Sequence, residues 1–178
     1  MIEIRWHGRG GQGAFTAARL LGLAASVYEG KQAQAFPSFG PERRGAPVLA
    51  FTRIDDRKIL DRSEVENCSY AVVLDETLLG PNVESGLLPG STIIVNSAHS
   101  LTPRGDYKIV TIDATSLALA VLGKPITNIP MLGALVAASS LITLDSAFKA
   151  IDDQMQPALR AKSKQLLQQA YDAVRGAE

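Results

Sequence analysis

The chain has 178 residues, of which 46% are hydrophobic and only 6% aromatic. That length favours one domain, residues 1–178, whose core is built from small aliphatic side chains in α/β layers. Lysine plus arginine equals aspartate plus glutamate, at 18 each, so no net basic charge attracts nucleic acid or an anionic membrane. The composition therefore predicts no nucleic-acid partner and no membrane partner.

Several kinds of reactive centre are excluded by what the sequence lacks. Cys68 is the only cysteine, so this chain by itself holds no disulfide, no Cys-ligated iron–sulfur cluster and no Cys-based zinc site. His7 and His99 are the only histidines, and neither is near a second ligand or a nucleophile in the sequence. We therefore predict no metal site and no catalytic residue. The absence of a leader pattern and of a long apolar run predicts a cytoplasmic chain.

A glycine-rich loop is the feature around which the sequence is organised. Residues 7–13 follow a short apolar strand pattern and lead into an Ala/Leu-rich helix pattern at 14–28. Glycines let the backbone turn sharply and approach a ligand, and the amino end of the helix offers unpaired N–H groups and a positive dipole end. An anionic group is the expected ligand of this loop. The predicted ligand-binding residues are Gly8, Gly10, Gly11, Gln12 and Gly13.

The same loop also matches the Gly-x-Gly-x-x-Gly fingerprint of dinucleotide-binding domains. That interpretation requires an acidic residue at the end of a second strand about 20 residues further on. Glu29 lies at that distance but at the end of the predicted helix, and Asp55 ends a good strand but comes too late. Dinucleotide binding and a purely structural glycine turn both remain alternatives to anion binding.

A second loop is predicted at 31–45, which lacks helical or strand periodicity and contains two prolines and two glycines. Long irregular segments inside a compact domain are more often functional than decorative. Arg43 and Arg44 could bind phosphate or carboxylate through forked hydrogen bonds. The alternative is that they form surface ion pairs with Glu42, which would carry little functional meaning.

The remaining patterns predict an α/β fold of three layers, α/β/α, Rossmann-like, with a mostly parallel or mixed sheet and C-terminal helices. The first strand, the glycine loop and the following helix would form the first half of a doubly wound unit. Further strands are predicted at 46–54, 58–60, 70–75, 91–96 and 107–113. Further helices are predicted at 116–122, from 131, at 146–155 and at 157–174, with 126–130 as a linker.

Asp75 and Glu76 end the predicted central parallel strand, at the edge of the sheet where open α/β folds bind ligands. Carboxylates at this position also cap the helix that follows, and we favour that interpretation.

Three motifs follow one another along the chain: Gly-Arg-Gly-Gly-Gln-Gly at 8–13, Ser-Phe-Gly-Pro-Glu-Arg-Arg-Gly at 38–45 and Asn-Ile-Pro-Met-Leu-Gly at 128–133. In this order they resemble the gamma subunit of the 2-oxoacid:ferredoxin oxidoreductases. The family includes the pyruvate, 2-oxoisovalerate, 2-oxoglutarate, indolepyruvate and phenylglyoxylate enzymes. Departures occur at Ala46, where many members have a second glycine, and at 67–70, where Asn-Cys-Ser-Tyr replaces the commoner Pro-Asp.

This resemblance implies a complex that oxidatively decarboxylates a 2-oxoacid to an acyl-CoA. Partner subunits, thiamine-binding and ferredoxin-like chains, would hold thiamine diphosphate with magnesium and iron–sulfur clusters, while this chain builds the interface and helps bind CoA. The residues implied for cofactor contact are Gly8, Gly10, Gly11, Gln12, Gly13, Glu42, Arg43, Arg44, Gly45 and Asn128. A stand-alone nucleotide or acyl-CoA binding protein, or an assembly subunit without a ligand, remains an alternative.

Overall fold

The computed structural model describes residues 1–38 and 44–177, and a mixed six-stranded sheet runs through it. The strands are β1 (Ile2–Arg9), β2 (Gln32–Pro37), β3 (Pro47–Asp55), β4 (Cys68–Val73), β5 (Leu87–Asn96) and β6 (Tyr107–Ile112). Their order across the sheet is β2-β3-β1-β4-β5-β6. Strands β1, β4, β5 and β6 are parallel, and β3 is antiparallel to both of its neighbours. The predicted α/β fold with a mixed, mostly parallel sheet is confirmed.

Six α-helices accompany the sheet in the described part of the chain. They are α1 (Ala14–Leu23), α2 (Pro81–Glu84), α3 (Ala114–Leu122), α4 (Asn128–Ser139), α5 (Leu144–Gln154) and α6 (Pro157–Arg175). A π-helical turn at Ala24–Tyr28 extends α1, and a 3₁₀ turn at Glu76–Leu78 precedes α2. The predicted helices at 14–28, 116–122, 146–155 and 157–174 are therefore confirmed to within a few residues. Among these helices, none is both long and apolar enough to cross a membrane.

The five longer helices pack on one face of the sheet and form its larger core. Alternate residues of a strand point to the same face, and Ile4 and Trp6 of β1 lie fully buried under these helices. The indole N–H of Trp6 donates to Thr52 Oγ1 at 3.0 Å, and the Thr52 hydroxyl donates to the Ala18 carbonyl at 3.1 Å. The polar atoms inside this core are thus paired, as burial requires.

A thinner layer covers the opposite face of the sheet, and buried arginines hold part of it in place. Arg5 donates from one terminal nitrogen to the carbonyls of Val83 (2.7 Å) and Ser85 (2.6 Å). Arg53, with only 1% of its side chain exposed, pairs with Glu3 at 2.7 Å. Carbonyl and carboxylate acceptors around a guanidinium offset much of the cost of burying its charge. This third layer consists of α2, the 3₁₀ turn and the connecting segments around them.

Three local predictions are wrong, and each error has a physical reason. Within the segment 31–45, Gln32–Pro37 forms an edge strand, because β3 supplies the pairing that its Gln/Ala composition does not signal. Residues 58–60 form no strand, since Ile59 is buried in a loop and its carbonyl accepts from the Gln34 side chain. In 126–130, α4 already begins at Asn128, because a proline in the first turn loses no helical hydrogen bond.

The prediction that β1, the glycine loop and α1 form the first half of a doubly wound unit is also wrong. From α1 the chain returns to the edge strand β2, which is separated from β1 by β3. A dinucleotide-binding unit needs the second strand beside the first. The connection therefore gives this sheet an architecture different from that of a dinucleotide-binding half.

Gly133 tests how closely α4 packs against α6. A Cβ at Gly133 would lie 2.4 Å from the Leu167 carbonyl oxygen, so the two helices would have to separate. We expect Gly133→Ala to lower the free energy of unfolding by about 1–3 kcal/mol, despite the better helix propensity of alanine. Urea denaturation measures this change. Gly80→Ala is the matched control, because nothing lies within 4 Å of its Cβ position and its backbone is extended. Equal stability of the two variants would contradict the close packing.

Candidate functional site: the glycine loop at the carboxyl edge of the sheet

The glycine loop lies between the end of β1 and the start of α1. Gly11 and Gly13 have φ values of +95° and +80°, which favour glycine over any residue with a side chain. Gly8 is needed for a different reason, because a Cβ there would lie 3.3 Å from the Ala14 Cβ at the start of α1. The sequence of the loop is thus explained by backbone conformation and by close packing of helix on strand.

Some amides of the loop are already used within the protein. Gly10 N–H donates to the Ala46 carbonyl at 2.9 Å, and Gln12 N–H donates to the Arg9 carbonyl at 2.9 Å. The amides of Gly11 and Gly13 donate to no backbone carbonyl within the described ranges. Helix α1 also begins without a side-chain cap. Among the described residues, Gly11 and Gly13 are therefore the loop amides without a backbone acceptor.

The second motif joins this loop directly. Arg44 forms an isolated parallel bridge with Gly10, and Gly45 N–H donates to the Gly10 carbonyl at 3.1 Å. Arg44 and Gly45 are both exposed. The structure therefore brings Arg44 and Gly45 beside the glycine loop. The predicted site residues Glu42 and Arg43 lie outside the described residues.

The third motif reaches the same place through Asn128, the first residue of α4. Its Nδ2 lies 3.4 Å from the Gly13 carbonyl oxygen. A Cβ on Gly13 would lie only 2.5 Å from that nitrogen, so Asn128 occupies the space that the glycine leaves open. Three motifs separated by long stretches of sequence thus converge at one end of β1.

Arg9 connects the loop to its surroundings and is absent from the predicted site. Its guanidinium donates to Asp75 Oδ2 at 2.9 Å, to the Gly45 carbonyl at 3.1 Å and to Thr77 Oγ1 at 2.7 Å. Gln12 accepts from Arg9 N–H at 2.7 Å and reaches Asp75 Oδ2 at 3.4 Å. We call Arg9, Gln12, Asp75 and Thr77 the Arg9–Asp75 clamp. An arginine at the second position of a glycine fingerprint gives no signal of this role in the sequence.

Asp75 completes the clamp and also caps the 3₁₀ turn, so the predicted capping role is confirmed. Its Oδ1 accepts from Thr77 N–H at 3.0 Å and from the Thr77 hydroxyl at 2.6 Å. Partial burial works against ionisation, but the hydrogen bonds from Thr77 and Arg9 outweigh it and lower the pKa of the Asp75 carboxyl. Asp75 is therefore ionised at neutral pH and engaged on both oxygens.

His7 lies two residues before Arg9 on β1 and is almost completely buried. Its Nε2 has no hydrogen-bond partner in the described structure. Burial, together with the positive charge of Arg5, lowers the pKa of His7 from 6.5 to about 4. The imidazole is therefore neutral at neutral pH.

An open cleft of about 500 Å³ adjoins the loop at the carboxyl ends of β4, β5 and β6. Asp75, Glu76 and Asp113 line it, and no lysine or arginine does so among the described residues. Such a cleft disfavours phosphate, and an anionic ligand fits better on the side of Arg44. No group of three His, Cys, Asp or Glu side chains within 1–38 and 44–177 is arranged to hold a metal ion.

Glu29, the candidate ribose ligand of the dinucleotide interpretation, is engaged elsewhere. Its carboxylate accepts from Thr143 N–H and Oγ1, each at 2.8 Å, and from the Ser146 hydroxyl at 2.5 Å. Hydrogen bonds from Ser146 and from the Thr143 backbone lower the pKa of Glu29. Glu29 is therefore bound to Thr143, the N-cap residue of α5, and the acid that the fingerprint requires is missing from the site.

Comparison with known proteins identifies the family. The family described as pyruvate ferredoxin/flavodoxin oxidoreductase matches residues 3–174. The chain belongs to this family. The resemblance seen in the three sequence motifs is thereby confirmed.

Relatives in the pyruvate ferredoxin/flavodoxin oxidoreductase family match nearly end to end. The pyruvate synthase subunit PorC of Methanocaldococcus jannaschii is 49% identical over 97% of this chain and 96% of its own length. The pyruvate/ketoisovalerate oxidoreductases common subunit gamma of Thermococcus kodakarensis is 46% identical over 97% and 96%, respectively. The chain therefore corresponds to gamma-type members of the family along its whole length.

Solved structures have the same fold. The crystal structure of subunit PORC of a pyruvate oxidoreductase from Thermotoga maritima is 38% identical, with a TM-score of 0.85 over 96% of this chain and 95% of its own. A 2-oxoglutarate:ferredoxin oxidoreductase from Magnetococcus marinus, with 2-oxoglutarate, coenzyme A and succinyl-CoA bound, gives a TM-score of 0.80 at 15% identity. It matches 99% of this chain but only 31% of its own, and at that identity it shares the fold alone.

The buried neutral histidine predicts how stability depends on pH. Between pH 6.5 and pH 4 the unfolded chain binds a proton at His7 and the folded chain does not, so stability falls as the pH falls. We expect a loss of about 3 kcal/mol across this window and no contribution from His7 above it. Urea denaturation from pH 7.5 to pH 4.5 measures it.

The controls separate this effect from other titrations. His7→Phe removes the group and should flatten the dependence between pH 5 and pH 6.5, whatever its absolute stability. His99→Gln alters an exposed histidine and should leave the dependence unchanged. The burial argument is wrong if His7→Phe retains the slope of the unmodified protein.

Proposed function

We propose that this chain is the gamma subunit of a complex that oxidatively decarboxylates a 2-oxoacid to an acyl-CoA. Family membership and the gamma-type relatives support this proposal. In the complex, partner subunits would hold thiamine diphosphate with magnesium and iron–sulfur clusters, which supply the decarboxylation and electron-transfer chemistry. A cytoplasmic location remains a prediction from the sequence.

The chemistry of this chain agrees with a role beside the reactive centre. Cys68 is buried, and burial raises the pKa of its thiol, so it provides neither an exposed nucleophile nor a cluster ligand. The groups that this chain offers to an external ligand are backbone amides and an exposed guanidinium, which bind anions rather than carry out bond cleavage. Binding and interface formation are the functions that these groups support.

The observation that carries the proposal is the convergence of the three motifs. The amides of Gly11 and Gly13, which have no acceptor among the described residues, lie along one edge with the exposed Arg44, joined by the bridge from Gly10 to Arg44. This arrangement suits a phosphate of CoA, with the adjoining surface in contact with the thiamine-binding subunit. Gly8 and Asn128 hold the shape of the loop, and Gly45 fixes the segment that carries Arg44.

Purification of the complex from its own cells tests the assembly. We expect the tagged chain to recover its partner chains together with iron, acid-labile sulfide and thiamine diphosphate. Mass spectrometry and a thiamine assay on the eluate measure this. Recovery of the chain alone, free of cofactors, would contradict the proposal and favour the stand-alone nucleotide or acyl-CoA binding protein.

Arg44→Ala tests the proposed contact with CoA. A guanidinium that bonds a phosphate contributes a charge-assisted hydrogen bond, so its loss should raise the KM for CoA about tenfold with little change in kcat. Steady-state assays of the purified complex with pyruvate measure both constants. Arg57→Ala is the control, because Arg57 is also exposed but follows β3 at the opposite end of the strands. If CoA affinity and assembly are both unchanged in Arg44→Ala, the proposed contact is wrong.

A further inference from the structure

We use "ligand edge" for the amides of Gly11 and Gly13 together with Arg44. We propose that the Arg9–Asp75 clamp sets the geometry of this ligand edge, so that Arg9 and Asp75 are positioning residues. They would act through the glycine loop and the Arg44–Gly45 segment and would make no contact with the ligand themselves. The effect on CoA rests on the proposed function. The effect on the loop can be measured without it.

The clamp joins three segments that are far apart in the sequence. Arg9 belongs to the loop after β1, Gly45 to the segment before β3 and Asp75 to the turn after β4. One planar guanidinium spans all three, with donor–acceptor distances between 2.7 and 3.1 Å. A lysine in place of Arg9 could not reproduce this fork, because an ammonium is a point donor on a flexible stem.

The glycine loop needs such support because its own sequence provides little. Four glycines in six residues leave a large conformational entropy to be lost on ordering, and no side chain caps α1. The loop has only a few internal bonds, among them Gln12 N–H to the Arg9 carbonyl and Arg9 N–H to Gln12 Oε1. Both of these bonds involve the backbone of Arg9, whose guanidinium is fixed by Asp75, Gly45 and Thr77.

The position of Arg44 depends on the same guanidinium. Arg9 donates to the Gly45 carbonyl, and Gly45 N–H donates to the Gly10 carbonyl, so the Gly45 backbone is held from both sides. Loss of the first bond leaves the Arg44–Gly45 segment held, among the described contacts, by the backbone bonds to Gly10 alone. The direction in which Arg44 faces the ligand edge is therefore coupled to Asp75, which orients Arg9.

Asp75 cannot itself act as a ligand-binding acid. Four donors engage its two oxygens: the Arg9 guanidinium, the Gln12 amide, and the backbone and hydroxyl of Thr77. Only 21% of its side chain and 33% of the Arg9 side chain are exposed, unlike the freely solvated ion pairs that contribute little. The acid beside this glycine loop thus orients protein groups, where a dinucleotide-binding domain would use it to bind ribose.

Asp113 provides a matched control within the same chain. It follows β6 at the same edge of the sheet and accepts from the backbone and the hydroxyl of Ser116, as Asp75 does from Thr77. Within the described ranges it forms no hydrogen bond to the glycine loop, so Asp113→Asn removes a carboxylate with the same local capping role but without the contacts of the clamp. A difference between Asp75→Asn and Asp113→Asn therefore isolates the contacts to Arg9 and Gln12.

The experiment measures amide hydrogen exchange by NMR in the isolated chain and steady-state kinetics in the purified complex. In Asp75→Asn, the hydrogen-bonded amides of Gly10 and Gly45 should exchange about tenfold faster, with core amides unchanged. The KM for CoA should rise about tenfold while kcat stays within about twofold. Arg9→Lys should give changes in the same direction that are at least as large, since an ammonium can reach only one of the three acceptors. Asp113→Asn should change neither quantity.

Each other outcome overturns the inference, and they do so in distinguishable ways. Equal exchange in Asp75→Asn and Asp113→Asn would show that the clamp does not order the loop. Faster exchange with an unchanged KM for CoA, while Arg44→Ala raises that KM, would show that the ligand does not use the clamped geometry, and the proposed function would stand. Faster exchange with an unchanged KM in both Asp75→Asn and Arg44→Ala would overturn the proposed CoA contact as well, whereas the assembly experiment tests the subunit role separately.

Discussion

The whole site depends on the position of β1 between one antiparallel and one parallel neighbour. Because β3 is antiparallel to β1, its amino end meets the carboxyl end of β1, and Arg44 and Gly45 arrive beside the glycine loop. Because β4 is parallel to β1, its carboxyl end meets the same point and delivers Asp75. A purely parallel sheet would place the start of β3 at the far edge. The mixed topology is thus the constraint that assembles the site.

In this protein, whose core consists largely of small aliphatic side chains, arginine side chains fix several segments relative to one another. Arg5 and Arg53 hold the thin layer on one face, and Arg9 holds the loops at the edge. Planar guanidinium groups suit this task because each reaches several acceptors on different segments. Arg5 and Arg9 alternate with His7 along β1, and Arg53 lies on β3 opposite Glu3. These side chains therefore lie on the same face of the sheet as the buried His7. The lowered pKa of His7 agrees with its burial on this face and with the charge of Arg5 beside it.

Most helices and strands could be predicted from the sequence to within a few residues. The errors cluster in segments where tertiary contacts decide whether the chain forms a strand, a helix or a loop. Strand β2 has no strand signal in its Gln/Ala composition, and pairing with β3 alone makes it a strand. Asn128 lies in an apparent linker with a proline nearby, yet packing over Gly13 and burial in α4 make it helical. Asp75 could be predicted as a cap because that role is local, but its bond to Arg9 joins residues 66 positions apart.

By itself the sequence determined the local geometry and the family. Glycines at 8–13 specify the turn after β1, and the aliphatic periodicity specifies strands and helices, because these properties reside in neighbouring residues. Three motifs in order identify a gamma-type chain. Only the tertiary structure decided which groups meet. In the folded chain, Glu29 accepts hydrogen bonds at the start of α5, and the amides of Gly10 and Gln12 donate to carbonyls within the protein. Arg9 lies at the centre of the Arg9–Asp75 clamp. Such long-range pairings follow from strand order and direction, which no local pattern in the chain encodes.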